Sequence, residues 1–132
     1  MDEAVVITGL THRYGATMAL SGLDLTIPPG RLTGVVGPDG AGKSTLLSLV
    51  AGSRKLQTGT LRVLGGDMAD SRYRTTVCPR VAYMPQGLGR NLYPTLSVFE
   101  NVDFFGRLFG QRRAERQWRI EQLLDSTGLG PF

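Results

Sequence analysis

The chain has 132 residues, of which 41% are hydrophobic, and this length and composition suit one globular domain with a buried core. Its longest apolar runs are far shorter than the roughly 18 residues that span a bilayer, and its acidic start is unlike a secretory signal. A single cysteine excludes an internal disulfide and fits a reducing compartment. The net charge of +4 comes almost entirely from scattered arginines, so we expect no specific nucleic acid partner.

The first part of the chain alternates apolar stretches with glycine and proline breaks. We predict strands over Ala4–Thr8 and Ala19–Ile27, the second of which stops at Pro28-Pro29-Gly30. A third strand is predicted over Arg31–Val36 and leads into a glycine-rich loop. The leucine-rich helix after the loop should be buried, and Gly52 should end it.

The middle of the chain gives weaker signals. Thr60–Leu64 reads as a strand that ends at Gly65-Gly66-Asp67, whereas residues 68–80 are polar and read as irregular. Val81–Met84 predicts a short buried strand, and residues 87–96 predict a loop.

Two helices are predicted at the end of the chain. Ser97 and Glu100 form a capping box that opens the first, whose core face would hold Val98, Val102, Phe105 and Phe109. The second runs from about Arg112 to Thr127, with Glu115 and Arg119 paired one turn apart and Gly128 and Pro131 ending the helix. Strands followed by helices in this order predict an α/β domain.

The glycine-rich loop fits the pattern G-x-x-x-x-G-K-[ST] between a predicted strand and a predicted helix. Its glycines let backbone N–H groups converge on phosphate oxygens, and the helix N-terminus adds attraction for anions. Lys43 would reach the outer phosphates and the Ser44 hydroxyl would bind Mg²⁺. The predicted nucleotide-binding residues of the loop are Gly37, Pro38, Asp39, Gly40, Ala41, Gly42, Lys43, Ser44 and Thr45.

Five stretches in this order resemble the ATP-binding domain of ABC transporters, most closely the ATPases of bacterial drug and ABC-2-type exporters. They are His12–Gly15, Gly37–Thr45, Gly59–Asp67, Val81–Gln86 and Leu92–Asn101. The resemblance runs from about Ala4 to the end of the chain. It implies an incomplete α/β P-loop NTPase (ABC ATPase) fold with N-terminal antiparallel strands and a C-terminal helical portion. Residues 1–86 would form the nucleotide-binding core, with A-loop, P-loop and Q-loop, and residues 87–132 would begin a helical subdomain.

The resemblance also implies roles for single residues. Tyr14 corresponds to the aromatic residue that stacks on adenine, although by itself it reads as an ordinary aromatic beside a turn. Gln86 corresponds to the glutamine that reaches Mg²⁺ and the attacking water, although by itself it reads as a loop residue. The implied ligands are therefore ATP and Mg²⁺, with Lys43 and Gln86 as catalytic residues and Ser44 and Gln86 at the metal.

Other parts of the family pattern are not found. Leu20-Ser21-Gly22 resembles the start of the L-S-G-G-Q signature but precedes the loop, and Ile120–Asp125 reads as amphipathic helix rather than as an acidic strand. His12, the only histidine, also precedes the loop, and we interpret it as a surface residue rather than as the switch histidine. We therefore expect a truncated or partial domain of marginal stability that binds Mg-ATP weakly and hydrolyses it little, within an ATP hydrolase as a whole.

The implied partners are transmembrane permease subunits or domains and a second ABC ATPase domain that completes a dimer. Residues 87–110 would contact the permease, with Leu88, Leu92 and Tyr93 exposed there, or alternatively packed under the loop. The protein would lie on the cytoplasmic face of the membrane and power export. One alternative is a non-hydrolysing, nucleotide-binding interaction module, including a ribosome-associated one. Another is an unrelated P-loop kinase or GTPase, which the spacing of Tyr14, Lys43 and Gln86 disfavours.

Overall fold

The computed structural model describes residues 3–87 and 92–130, and the chain divides into two compact units, Met1–Gln86 and Gly87–Phe132. The first unit combines an antiparallel sheet with two helices, and the second contains two helices. In chain order the elements are β1 (Val5–Tyr14), β2 (Thr17–Ile27), α1 (Lys43–Val50), β3 (Thr58–Val63), β4 (Gly66–Asp67), α2 (Ser71–Val77), a 3₁₀ turn (Cys78–Arg80), α3 (Val98–Leu108) and α4 (Arg113–Thr127).

The sheet has the strand order β2-β1-β3-β4, and every pair in it is antiparallel. β1 pairs with β2 from Val5↔Ile27 to Tyr14↔Thr17. On its other side β1 pairs with β3 from Val5↔Val63 to Thr11↔Thr58. The predicted N-terminal strands are confirmed, and they continue closer to their shared turn than the sequence indicated.

One face of the sheet and α1 together form the core of the first unit. Its buried side chains are apolar and come from the sheet, from α1 and from the segment after β4: Val5, Ile7, Leu10, Leu20, Leu46, Leu49, Leu61, Val63, Met68 and Val77. Burying one such aliphatic side chain contributes about 1.5–3 kcal/mol, which fixes α1 on the sheet. Leu47 remains exposed, so α1 is buried on one side and not all around.

Residues 68–80, predicted to be irregular, contain α2 and the 3₁₀ turn. The Asp70 carboxylate caps α2 by accepting the Arg72 N–H at 2.8 Å. Val77 is buried, and the Tyr73 hydroxyl donates to the Val63 carbonyl at 2.6 Å, which ties the helix to β3. The prediction was wrong because this short helix relies on its cap and on those contacts rather than on an apolar repeat.

Two further predictions were wrong: neither Arg31–Val36 nor Val81–Met84 forms a strand within the described residues. Leu32, Val36 and Met84 are almost fully exposed to solvent. Apolar runs become buried strands only when neighbouring strands pair with their N–H and C=O groups. The four paired strands of the described sheet do not include either segment.

In the second unit the predicted capping box is present, with Ser97 and Glu100 bonded to each other's backbone. These bonds lower the pKa of the Glu100 carboxyl, chiefly through the Ser97 N–H. Gly128 ends α4 in the left-handed conformation, and the predicted Glu115–Arg119 pair forms at 3.0 Å. The predicted core face of α3 is only partly right, because Phe109 is 54% exposed.

The two helices of this unit are joined by charge. Asp103 on α3 accepts from Arg107 on the same helix and from Arg116 on α4. Ile120 of α4 is buried, which fixes the apolar side of that helix. Among residues 3–87 and 92–130, no helix has the length and apolar character required to cross a membrane.

Candidate nucleotide-binding site

A cavity of about 320 Å³ in the first unit brings together three stretches that are distant in the sequence. Tyr14 lines it from the end of β1, Asp39–Thr45 line it from the loop and α1, and Gln86 lines it from the end of the unit. Thr17, Met18 and Ala19 of β2 complete the lining. Gly37 and Pro38, which were also predicted for the site, do not line the cavity and instead contact Lys43.

The loop leads directly into the N-terminus of α1. The first intrahelical hydrogen bond runs from the Leu46 N–H to the Gly42 carbonyl at 2.9 Å. No side chain caps this end of α1, and its first turn holds no acidic residue. The free N–H groups and the positive end of the helix dipole are therefore available to an anion, which fits the predicted phosphate group.

Gly42 explains why the loop lies so close to β2. Its φ is 87°, and a Cβ placed on it would lie 2.2 Å from the Ala19 carbonyl oxygen. Gly40 also has a positive φ, of 80°, but a Cβ there would meet no atom within 4 Å. Gly42 thus needs both an unusual torsion and the absence of a side chain, whereas Gly40 needs only the torsion.

The Lys43 side chain folds back over the loop that precedes it. Its Nζ donates to the carbonyls of Gly37 at 2.6 Å and Pro38 at 2.7 Å. An ammonium group has three N–H donors, so one donor remains for a phosphate oxygen. Lys43 therefore closes the loop into a ring and also places a positive charge at it.

The two hydroxyl residues after Lys43 differ in their surroundings. Ser44 is exposed, whereas Thr45 is buried and its Oγ1 lies 3.2 Å from the Tyr14 hydroxyl. Residues 3–87 and 92–130 contain no cluster of three acidic, histidine or cysteine side chains that could hold a metal. A Mg²⁺ site of one hydroxyl and one amide fits an ion that binds mainly through nucleotide phosphates and water.

Tyr14 is 42% exposed and has neighbours on several sides. The Arg54 guanidinium carbon lies 4.8 Å from its ring centroid, within the range of a cation–π contact. The His12 ring packs against it edge to face, with the centroids 5.0 Å apart.

The prediction that His12 is a surface residue was wrong, because it is only 3% exposed. Side chains two apart in a strand share a face, and His12 follows the buried Leu10 in β1. Its Nδ1 has no hydrogen-bond partner within the part of the chain that the structure describes.

Sequence reasoning missed Gln57, which lies in the connection between α1 and β3. Its Oε1 accepts the Arg13 N–H at 2.8 Å, and its Nε2 donates to the Arg13 carbonyl at 3.0 Å. The two residues are 44 positions apart, so no local pattern links them. Arg54, from the same connection, was missed for the same reason.

In the second unit Asn101 was given no role of its own, yet its buried amide fixes the preceding segment. Its Oδ1 accepts the Tyr93 N–H at 2.8 Å, and its two Nδ2 hydrogens are shared among the carbonyls of Tyr93, Leu96 and Ser97. The Tyr93 ring packs on Phe104 with centroids 4.9 Å apart and stays half exposed. Leu92 is exposed, and Leu88 lies outside the described residues.

Comparison with known proteins identifies the family of this chain. The family model described as ABC transporter matches residues 20–132. The probable multidrug ABC transporter ATP-binding protein YbhF of Escherichia coli K12 is 37% identical, over 99% of this chain and 22% of its own length. The daunorubicin/doxorubicin resistance ATP-binding protein DrrA of Streptomyces peucetius is 36% identical, over 97% of this chain and 38% of its own length.

Importers match as well. The sulfate/thiosulfate import ATP-binding protein CysA of Mycobacterium tuberculosis H37Rv is 34% identical, over all of this chain and 36% of its own length. The chain thus spans between about a fifth and two fifths of these curated relatives.

A solved structure supports the fold. It is a dimeric, post-hydrolysis state of the ATP-binding cassette MJ0796 with ADP and Pi, and it superposes with a TM-score of 0.70 at 22% identity. The match covers 92% of this chain and 56% of that one. The chain therefore belongs to the ABC transporter family and has, in part, the P-loop NTPase fold of its ATP-binding proteins.

Proposed function

We propose that this chain is the nucleotide-binding part of an ABC ATPase that binds Mg-ATP in the cavity between Tyr14, the glycine-rich loop Gly37–Thr45 (the phosphate loop) and Gln86. The observation that carries the proposal is that these three stretches line one cavity. Within a longer protein, ATP binding and hydrolysis would drive transport. The likeness to YbhF and DrrA supports export.

Each part of the cavity suits one part of the ligand. The free N–H groups at the start of α1 and the Lys43 Nζ would hold the phosphates. Ser44 and Gln86 would hold Mg²⁺, which supplies charge neutralisation and orientation of the phosphate oxygens. The half-exposed Tyr14 ring would contact the adenine base, because an aromatic face stacks on a flat base.

The sequence contains only some of the residues that rapid ATP hydrolysis requires. Phosphoryl transfer requires a positioned water and stabilisation of the developing charge, in addition to a phosphate cradle. The sequence has no L-S-G-G-Q signature, no apolar run ending in aspartate and glutamate after Gln86, and no histidine other than His12. We therefore expect this chain to bind ATP with little turnover by itself, and a second ATPase domain to contribute to catalysis in the longer protein.

The partners follow from the same proposal. Residues 87–110 would contact a transmembrane permease at the cytoplasmic face of the membrane, and the exposed Leu92 and Tyr93 suit such a contact. The shortage of catalytic groups favours one alternative, a nucleotide-binding interaction module that does not hydrolyse ATP.

The proposal is tested by calorimetric titration with Mg-ATP. Lys43→Ala should lower the affinity by about ten- to a hundredfold, because a hydrogen bond to a charged group contributes about 1.5–3 kcal/mol. Lys55, the only other lysine, is exposed and lies outside the cavity, so Lys55→Ala is the matched control and should bind ATP like the parent chain.

Equal affinity of the parent and Lys43→Ala chains would contradict the site assignment. Phosphate release measured in the same samples separates binding from turnover. Sustained release by the purified parent chain would contradict the expectation of little hydrolysis.

A further inference from the structure

On the side of β1 that faces β3, the backbone hydrogen-bond partner changes near Tyr14 from the β3 backbone to a side chain. The ladder between the two strands ends at Thr11↔Thr58, and the Gln57 side chain takes over at Arg13 with bonds of 2.8 and 3.0 Å. A primary amide offers one acceptor and N–H donors, as a peptide group does. Gln57 therefore extends the ladder by its side chain and fixes the backbone directly before Tyr14.

The Tyr14 ring itself is held by side chains. The Arg54 guanidinium lies over the ring at 4.8 Å, and the hydroxyl contacts Thr45 at 3.2 Å. Tyr14 lines the cavity but Arg54 does not, so this contact leaves part of the ring facing the cavity. Arg54 and Gln57 both belong to the short connection between α1 and β3.

We propose that Gln57 and Arg54 are positioning residues that hold Tyr14 at the cavity, ready to receive the base of a nucleotide. The inference rests on the proposed function, in which Tyr14 contacts the base. A mobile aromatic residue loses conformational freedom when a ligand orders it, and this loss weakens binding. A ring that is already held in the free protein avoids that loss. The benefit should concern the base and not the phosphates.

This difference can be measured with two ligands, Mg-ATP and inorganic tripolyphosphate with Mg²⁺, each titrated by calorimetry. The parent chain should bind ATP more tightly than tripolyphosphate. Gln57→Ala and Arg54→Leu should each weaken ATP binding about three- to tenfold, as expected for the loss of one modest contact, with tripolyphosphate binding unchanged. Arg54→Lys keeps a cation and should restore part of the loss. Gln117→Ala on α4 and Lys55→Ala are the matched controls.

A double variant tests the coupling to the ring. Tyr14→Ala/Gln57→Ala should bind ATP as Tyr14→Ala does, because positioning has no effect once the ring is absent. Unchanged ATP affinity in Gln57→Ala, equal losses for both ligands, or additive losses in the double variant would overturn the inference. A parent chain that binds the two ligands equally would overturn it as well and leave the phosphate site intact. A parent chain that binds neither ligand would contradict the proposed function itself.

Discussion

At the residue scale, both the fold and the candidate site depend on the absence of a Cβ atom at Gly42. The Ala19 carbonyl oxygen lies 2.2 Å from the position a Cβ would take. Because that oxygen belongs to the backbone of β2, a side-chain rotation cannot relieve the overlap. The missing side chain at Gly42 therefore lets the start of α1, with the N–H groups that would bind a phosphate, lie close to β2.

We predict that Gly42→Ala destabilises the chain more than Gly40→Ala does. Both residues have positive φ, which costs an L-residue about 1–2 kcal/mol. Gly42→Ala adds a steric overlap and should cost about 3 kcal/mol or more, whereas Gly40 faces open space. Urea denaturation without nucleotide, followed by circular dichroism, measures the difference. Equal midpoints for the two variants would show that the overlap is relieved elsewhere.

The phosphate loop could be predicted from the sequence because its chemistry is local: three glycines, a lysine and a serine within eight positions. Tyr14 and Gln86 followed from the family resemblance, and the structure places both at the same cavity. Gln57 and Arg54 could not be predicted, because they contact residues 40 or more positions away.

At the element scale, the pair of helices α3 and α4 depends on one carboxylate. The Asp103 side chain meets Arg116 of α4 and Arg107 of α3, and the Arg116 side chain is largely buried. The hydrogen bond from Arg116 is the main cause that lowers the pKa of Asp103 below its ordinary value of 3.8.

The sign of the pH dependence follows from this direction. A carboxyl with a lowered pKa in the folded state contributes its stabilisation above its ordinary pKa and loses it as the pH falls through the lowered value. The α3–α4 pair should therefore weaken as the pH falls below about 4. Asp103→Asn should be less stable than the parent at neutral pH and less sensitive to acid. Trp118, the only tryptophan and part of α4, reports this by fluorescence.

Asp125→Asn serves as the control, because Asp125 lies on α4 outside the three ion pairs of the described residues. This variant should keep the acid sensitivity of the parent. An Asp103→Asn chain with the parent's pH profile would show that the ion pairs do not govern the helix pair.

Elements could be predicted where their signals are local. The Ser97–Glu100 box and the glycine after α4 gave the helix ends correctly. The strands predicted at 31–36 and 81–84 were wrong. An apolar run favours burial, but it does not determine which neighbouring strand pairs with it. The short helix α2 was missed because it has no apolar repeat and is held by a contact with β3, although its Asp70 cap is a local signal.

At the scale of the whole molecule, the exposed apolar side chains of segments 31–36 and 81–84 favour self-association of the chain. Leu32, Val36 and Met84 present apolar surface that a soluble chain normally buries. Unpaired backbone in such segments also invites pairing with another copy.

We predict that the chain self-associates and that Leu32→Lys/Val36→Lys reduces this, because charge at an unpaired edge opposes intermolecular pairing. Static light scattering over a concentration series should show the variant to be monomeric where the parent forms larger species. Thr26→Lys/Thr60→Lys adds the same charge at exposed strand positions and serves as the control. A parent chain that stays monomeric throughout, or a control that acts as well as the variant, would contradict the prediction.

The contact between the Tyr14 and Thr45 hydroxyls connects the part of the candidate site that would hold a base with the part that would hold phosphate. Thr45 belongs to the first turn of α1, where phosphate would bind, and Tyr14 is where a base would lie. Their contact sets a fixed distance between the aromatic ring and the helix end. A ligand that contacts both the ring and the helix end must therefore have a linker of matching length between its flat group and its anion. The site should select ligands by that length.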